Sequence, residues 1–179
     1  MSLLLITGGV RSGKSRYAEQ LAGEKGLPVL YAATGEAWDD EMRERIQLHR
    51  ERRPAHWGTV EIGMKLADLF PPAESYGVVL LDCLSGWVSR RLLQVPKEKM
   101  RDREITGQLL EEAEQWLIRA AQDDRTFIVV TNEAGLGGVA LTPLGRWFAD
   151  VLGEVNQLAA REAGIVDAVL CGLPWRLKG

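Results

Sequence analysis

The octapeptide Gly8-Gly9-Val10-Arg11-Ser12-Gly13-Lys14-Ser15 follows the apolar run Leu3–Thr7 without a break. It matches G-x-x-x-x-G-K-[ST], a loop whose glycines let backbone N–H groups curl around the β- and γ-phosphates of a nucleoside triphosphate. Such a loop works as the joint between a strand and a helix, because the helix N-terminus adds its positive dipole end to the phosphate site. The motif therefore predicts strand, loop and helix over residues 3–24, and a sheet whose strand ends face the ligand. Lys14 supplies a mobile positive charge, and the Ser15 hydroxyl is placed to hold Mg²⁺. A merely structural glycine turn is the competing reading, and the apolar strand before the loop weighs against it.

Four further apolar runs share the character of the first: Pro28–Ala33, Val78–Asp82, Phe127–Thr131 and Val166–Cys171. Most are continuous in Val, Leu and Ile instead of alternating, the pattern of strands covered on both faces in a parallel sheet. Between them lie segments of helical character: Lys14 to about Glu24, Asp39 to about Arg53, Leu84 to about Val95, Arg101 to about Ala121 and Pro143 to about Ala163. In the fourth, Leu109, Ala113, Trp116, Leu117 and Ala120 recur at helical spacing. Strands alternating with helices predict an open, mostly parallel α/β sheet with helices on both faces, and 179 residues suit a single domain spanning 1–179. Pro71-Pro72 reads as a loop, and the charged stretch Pro96–Glu104 as a mobile, solvated connection.

Composition removes several function classes. A net charge of −3 argues against a general nucleic-acid surface. No apolar run approaches the roughly 20 residues that cross a bilayer, so no membrane insertion is expected. The opening residues carry neither a basic leader nor a cleavage site, which points to the cytoplasm. Cys83 and Cys171 have no histidine neighbours to complete a zinc site and read as buried thiols.

Two constellations carry chemistry beyond the loop. Asp82 ends the third apolar run, where a P-loop protein places an acidic residue on Mg²⁺ or its water shell. Capping the helix that follows is the alternative, and the two are compatible. The second is His49, with Arg45 four residues before it and Arg52 and Arg53 three and four residues after. On a helix these guanidiniums neighbour the imidazole, favouring its neutral, nucleophilic form and supplying charge for an attacked phosphate. A solvated basic helix with an incidental histidine has the same spacing. His56 reads as a surface or packing residue, and Glu61 as a possible ribose or base contact. The residues alone reach a nucleotide-using enzyme, a kinase first among the readings.

The motifs in their order reach further. The P-loop, Tyr31-Ala-Ala-Thr34, Asp39-Asp-Glu-Met42, Arg45-Ile-Gln-Leu-His49, Trp57-Gly-Thr-Val-Glu61, Leu80-Leu-Asp-Cys-Leu84, Thr131-Asn-Glu-Ala-Gly135 and Asn156-Gln157 run through essentially the whole chain. Together they resemble the bifunctional adenosylcobinamide kinase / adenosylcobinamide-phosphate guanylyltransferase family of cobalamin biosynthesis. The resemblance implies a RecA-like P-loop fold, and a homo-oligomer, a trimer by analogy. It implies phosphorylation of adenosylcobinamide with ATP or GTP, then GMP transfer from GTP to adenosylcobinamide phosphate through a guanylylated histidine. The matching nucleophile is His49. The family's nucleotide contacts fall on Gly8–Ser15, Ala33, Thr34, Gly35, Arg50, Glu51, Arg52, Arg53, Glu61 and Asp82, with Ser15 and Asp82 toward Mg²⁺.

This chain departs from the family pattern in two places. Leu48 stands where some relatives carry a second histidine. After Glu133 the chain reads Ala134-Gly-Leu-Gly-Gly-Val-Ala140, with Pro143 displaced from the usual position. No general base for phosphorylation is identifiable, and Trp38, Trp87, Trp147 and Trp175 are the aromatic candidates for a corrinoid surface, with core packing the commoner fate of each. A plain small-molecule kinase and a non-catalytic nucleotide switch are the alternatives to the bifunctional transferase.

Overall fold

The computed structural model describes residues 3–35 and 53–179, together with Asp40, Glu44 and Gln47. The helix expected over Asp39–Arg53 falls mostly outside the described residues; Asp40, Glu44 and Gln47 are helical and exposed.

Seven strands form one sheet: β1 (Leu3–Thr7), β2 (Val29–Ala33), β3 (Gly58–Glu61), β4 (Val78–Asp82), β5 (Thr126–Val130), β6 (Ile165–Leu170) and β7 (Leu173–Lys178). Their order is β3-β2-β4-β5-β1-β6-β7. All neighbours are parallel except β6 and β7, which pair antiparallel across the turn at Cys171-Gly172. This is the RecA-like P-loop architecture that the resemblance implies, with β5 between the P-loop strand and the strand ending in Asp82.

The period-two alternation of each strand divides its side chains between two cores. Leu3, Leu5, Leu30, Ala32, Val79, Leu81, Phe127 and Val129 face one core, which the helices α3 (Leu84–Leu93), α4 (Arg103–Gln122) and α5 (Pro143–Glu162) close. Leu4, Ile6, Val29, Tyr31, Val78, Leu80, Ile128 and Val130 face the other, closed by α1 (Lys14–Glu24) through Ala18 and Ala22. Both faces of the central strands are covered, which is why those runs are continuously apolar. Leu109, Ala113, Trp116, Leu117 and Ala120 form the buried stripe of α4.

Two strands escape the apolar signal. β3 reads Gly-Thr-Val-Glu and β7 reads Leu-Pro-Trp-Arg-Leu-Lys, both at sheet edges with little two-sided burial. Pro71-Pro72 is no loop: both prolines lie in the short helix α2 (Phe70–Ala73), near the N-terminus where a missing N–H costs nothing. The stretch 96–104 is solvated as expected but organised, with a 3₁₀ turn at Lys97–Lys99. Asp102 caps α4, accepting from the N–H groups of Glu104 (2.8 Å) and Ile105 (3.1 Å).

Candidate active site at the carboxyl edge of the sheet

Register places the candidate residues on one edge. Ala33 at the end of β2 lies opposite Glu61 of β3 on one side and Asp82 of β4 on the other. Asp82 lies opposite Val130, and Val130 opposite Ile6, one residue before Thr7 and the loop. In open α/β sheets, ligands bind in the crevice outside these carboxyl ends.

The loop itself is shaped by glycine. Gly8 has φ 154°, and a Cβ there would sit 2.5 Å from the Val169 carbonyl oxygen. Gly13, at φ 95°, starts α1 with no side-chain cap, so the first-turn N–H groups are not claimed by a capping side chain. The hairpin turn of β6 and β7 supports the loop from outside, the Gly172 N–H donating to the Ser12 carbonyl at 2.8 Å. Lys14 is buried and folds back over the loop, its Nζ donating to the Gly9 carbonyl at 3.0 Å. Val10 and Arg11 are exposed, and Ser15 is half-buried.

Asp82 is not the cap of α3; Cys83 holds that position, with no side-chain capping bond. The Asp82 Oδ2 instead accepts the hydroxyl proton of Tyr31 at 2.9 Å. Burial, reinforced by the Asp82 charge, holds the Tyr31 phenol far above its ordinary value, so it stays a donor. Arg53 stacks on the same ring, its guanidinium carbon 3.7 Å from the ring centroid. The end of the arginine run thus meets the candidate metal carboxylate through one tyrosine. His49, Arg50, Glu51 and Arg52 lie outside the described residues. Ala33 is half-buried, while Gly35 and Glu61 are exposed at the edge. Thr34 is buried and its hydroxyl is engaged, donating to the Cys83 carbonyl (2.6 Å) and accepting the Cys83 N–H (2.9 Å).

A second polar group follows β5, the strand between Asp82 and the loop. Glu133 follows β5, and its N–H donates to the Gly8 carbonyl at 3.1 Å. Its Oε1 accepts from the Thr7 hydroxyl at 2.9 Å and from Asn156 Nδ2 at 3.3 Å. Asn156 also accepts the Thr131 hydroxyl proton at 2.7 Å and donates to the Asn132 carbonyl at 2.9 Å. Asn132 donates to the Ser85 hydroxyl at 2.6 Å. Thr131-Asn-Glu and Asn156 stand among the family motifs, but no sequence argument links Thr7, Ser85 and Asn156 to one another.

The thiol expectation needs correction. Cys171 is exposed because it forms the β6–β7 turn at φ 53°, whereas Cys83 is half-buried and touches the Ser85 hydroxyl. Burial pushes the Cys83 thiol up, with the Asp82 charge adding to it. Trp87 and Trp147 are core residues; Trp175 is exposed on β7, and Trp38 lies outside the described residues. His56 is exposed, a surface residue and not a packing one.

The donor set suits Mg²⁺. A serine hydroxyl and a single carboxylate beside a triphosphate are hard oxygen ligands, and Mg²⁺ completes its shell with water and phosphate oxygens. Among the described residues no cluster of three or more His, Cys, Asp or Glu side chains offers an all-protein cage.

A glycine loop feeding a helix at the carboxyl edge of a mostly parallel sheet, with an acidic strand end two strands away, defines a P-loop transferase fold of the RecA-like class. The family model described as cobinamide kinase / cobinamide phosphate guanyltransferase matches residues 4–177, and the chain belongs to that family of enzymes. It is 43% identical over 177 residues to the bifunctional adenosylcobalamin biosynthesis protein CobP of Pseudomonas aeruginosa, covering 98% of this chain and 96% of that protein. Identity to the bifunctional adenosylcobalamin biosynthesis protein CobU of Escherichia coli is 41%, over 98% and 99% of the two chains. A solved Pyrococcus horikoshii OT3 structure is similar at TM-score 0.59 and 7% identity, covering 99% of this chain and 86% of that one, a likeness of fold alone.

Proposed function

We propose that this chain, as one domain, phosphorylates the terminal hydroxyl of adenosylcobinamide with ATP or GTP. It then transfers GMP from GTP to adenosylcobinamide phosphate through a guanylylated His49, giving adenosylcobinamide-GDP and pyrophosphate. The observation that carries this reading is the full-length family match joined to a phosphate loop, Asp82 and the end of the arginine run on one sheet edge.

In phosphorylation, the Gly8–Ser15 backbone and the first turn of α1 hold the β- and γ-phosphates, and Lys14 follows the charge as it moves toward the leaving diphosphate. Ser15 and Asp82 would hold Mg²⁺, which neutralises charge on the phosphates when bound. Tyr31 keeps one Asp82 oxygen oriented. In guanylyl transfer, a neutral His49 nitrogen forms a bond to the α-phosphorus while the bond to the pyrophosphate oxygen breaks. Arg50, Arg52 and Arg53 neutralise the α-phosphate, and the loop retains the leaving pyrophosphate. An oxygen of cobinamide phosphate then displaces the histidine. Ala33, Thr34, Gly35, Glu51 and Glu61 complete the nucleotide contacts, Thr34 through its backbone because its hydroxyl is engaged.

The test is incubation with α-labelled GTP. A base-stable, acid-labile label on the wild-type protein, absent from His49→Ala, supports the reading. An unlabelled wild-type protein with proven GTP binding overturns it, and adenosylcobinamide phosphorylation without label would leave a plain kinase. Among the described residues no helix is long and apolar enough to cross a membrane, and we place the enzyme in the cytoplasm. Self-association as a homotrimer is part of the reading; the exposed Leu173, Trp175 and Leu177 of the edge strand β7 supply an apolar surface for it.

A further inference from the structure

The carboxylate of Glu133 takes no part in the steps above, yet the fold fixes it with care. Its backbone is fastened to the first glycine of the phosphate loop at 3.1 Å. The side-chain hydrogen bonds it accepts from the described residues both fall on Oε1, from the Thr7 hydroxyl and the Asn156 amide. Proton polarity follows from the neighbours. Asn156 accepts at Oδ1 from Thr131, so its Nδ2 faces outward as a donor to Glu133 and to the Asn132 carbonyl. Both donors fall on Oε1, which leaves Oε2 as the carboxylate oxygen available to accept a proton.

The chain beyond Glu133 carries an exposed apolar surface. Within and just after the 3₁₀ turn Ala134–Gly137 it exposes Leu136 (74%), Val139 (85%) and Leu141 (95%), an apolar rim beginning three residues past the carboxylate. Large apolar side chains this exposed, next to a candidate site, mark a surface for a large, partly apolar molecule.

We propose that Glu133 is the general base of the phosphorylation step, an inference that rests on the kinase half of the proposed function. The acceptor's O–H bond breaks and its proton passes to Oε2. The acceptor oxygen bonds to the γ-phosphorus, and the bond from that phosphorus to the β–γ bridging oxygen breaks, releasing ADP or GDP. The carboxylic acid then returns its proton to water. Guanylyl transfer has no such need: the attacking imidazole nitrogen is neutral, and the phosphate acceptor is already an anion at neutral pH.

The experiment measures both activities on one preparation of wild type, Glu133→Gln and Glu133→Ala. Gln keeps an acceptor oxygen for Thr7 and Asn156, so it removes the base without removing the tie. In Glu133→Gln, adenosylcobinamide phosphorylation should fall about 10²-fold in kcat, the usual worth of a positioned base. GMP transfer to adenosylcobinamide phosphate and the label from α-labelled GTP should stay within threefold of wild type. Kinase activity within threefold of wild type in Glu133→Gln overturns the proposal. An equal loss of both activities overturns it too, and makes Glu133 a residue that only positions the loop. A wild-type protein that takes the GTP label but phosphorylates nothing overturns the kinase half of the proposed function, and this inference with it.

Discussion

The Tyr31 hydroxyl donates to Asp82 Oδ2 at 2.9 Å while the guanidinium of Arg53 lies 3.7 Å from the centroid of the same ring. One side chain therefore orients the carboxylate proposed to face Mg²⁺ and receives the last arginine of the run after His49. Tyr31→Phe keeps the ring and its stacking surface but removes the donor. A hydrogen bond to a charged group is worth about 1.5–3 kcal/mol, so the Mg²⁺ concentration for half-maximal activity should rise about tenfold or more in both reactions. Arg53→Ala should instead weaken GMP transfer with the Mg²⁺ dependence unchanged. Steady-state titration of Mg²⁺ at saturating nucleotide separates the two, and an unchanged Mg²⁺ dependence in Tyr31→Phe would count against the orienting role.

The two adjacent glycines that open the loop should respond differently to the same change. A Cβ on Gly8 would meet the Val169 carbonyl at 2.5 Å and the Ser12 hydroxyl at 2.7 Å, at a φ that L residues rarely adopt. Relief requires the loop to part from β6. A Cβ on Gly9 meets nothing within 4 Å. Gly8→Ala should lower thermal stability by several degrees and abolish nucleotide-dependent stabilisation. Gly9→Ala should melt within about a degree of wild type, any loss being confined to nucleotide affinity. Thermal melts with and without GTP read both effects.

Strands buried on both faces were legible because their side chains have no solvent side to alternate with. Gly58–Glu61 and Leu173–Lys178 were not, since edge strands carry Thr, Glu, Pro, Arg and Lys and lose the apolar signal. The phosphate loop is local in sequence and announces itself; Asp82 does so at the end of a clean apolar run. The grouping of Thr7 with Glu133 joins residues 126 apart and exists because β1 pairs with β5. Nothing in the sequence near either residue specifies that pairing. Tyr31 likewise reads as one more apolar strand position until β2 and β4 align it with Asp82.

Away from the site, Asp123 at the end of α4 accepts both arms of the Arg125 guanidinium at 2.6 Å each, and the Arg125 N–H at 3.0 Å. The Arg125 side-chain hydrogen bonds hold its carboxyl below the ordinary value, burial opposing them. A carboxyl depressed in the folded state contributes its full stabilisation above the unfolded value, near 3.9, and loses it as pH falls through the folded one. The melting temperature of wild type should therefore exceed that of Asp123→Asn by a constant margin from pH 7 to about pH 5, and the margin should shrink below about pH 4. A margin that grew on acidification would contradict the sign.

The two cysteines should report on their contrasting positions. Cys171 is exposed in the β6–β7 turn, whereas Cys83 is half-buried beneath the sheet edge with its sulfur against Ser85 at 2.9 Å and its thiol pushed up by burial. Alkylation requires both access and the thiolate, and Cys83 is short of each. At pH 8 a maleimide or disulfide reagent should modify one thiol rapidly in the native protein and the second only in denaturant, with the fast site lost in Cys171→Ser. Because the Gly172 N–H holds the Ser12 carbonyl, a bulky adduct on Cys171 borders the phosphate loop. Prior GTP binding should slow the fast reaction without exposing Cys83. Two thiols reacting at equal rates in the native protein would be incompatible with this arrangement of the loop and the β4 end.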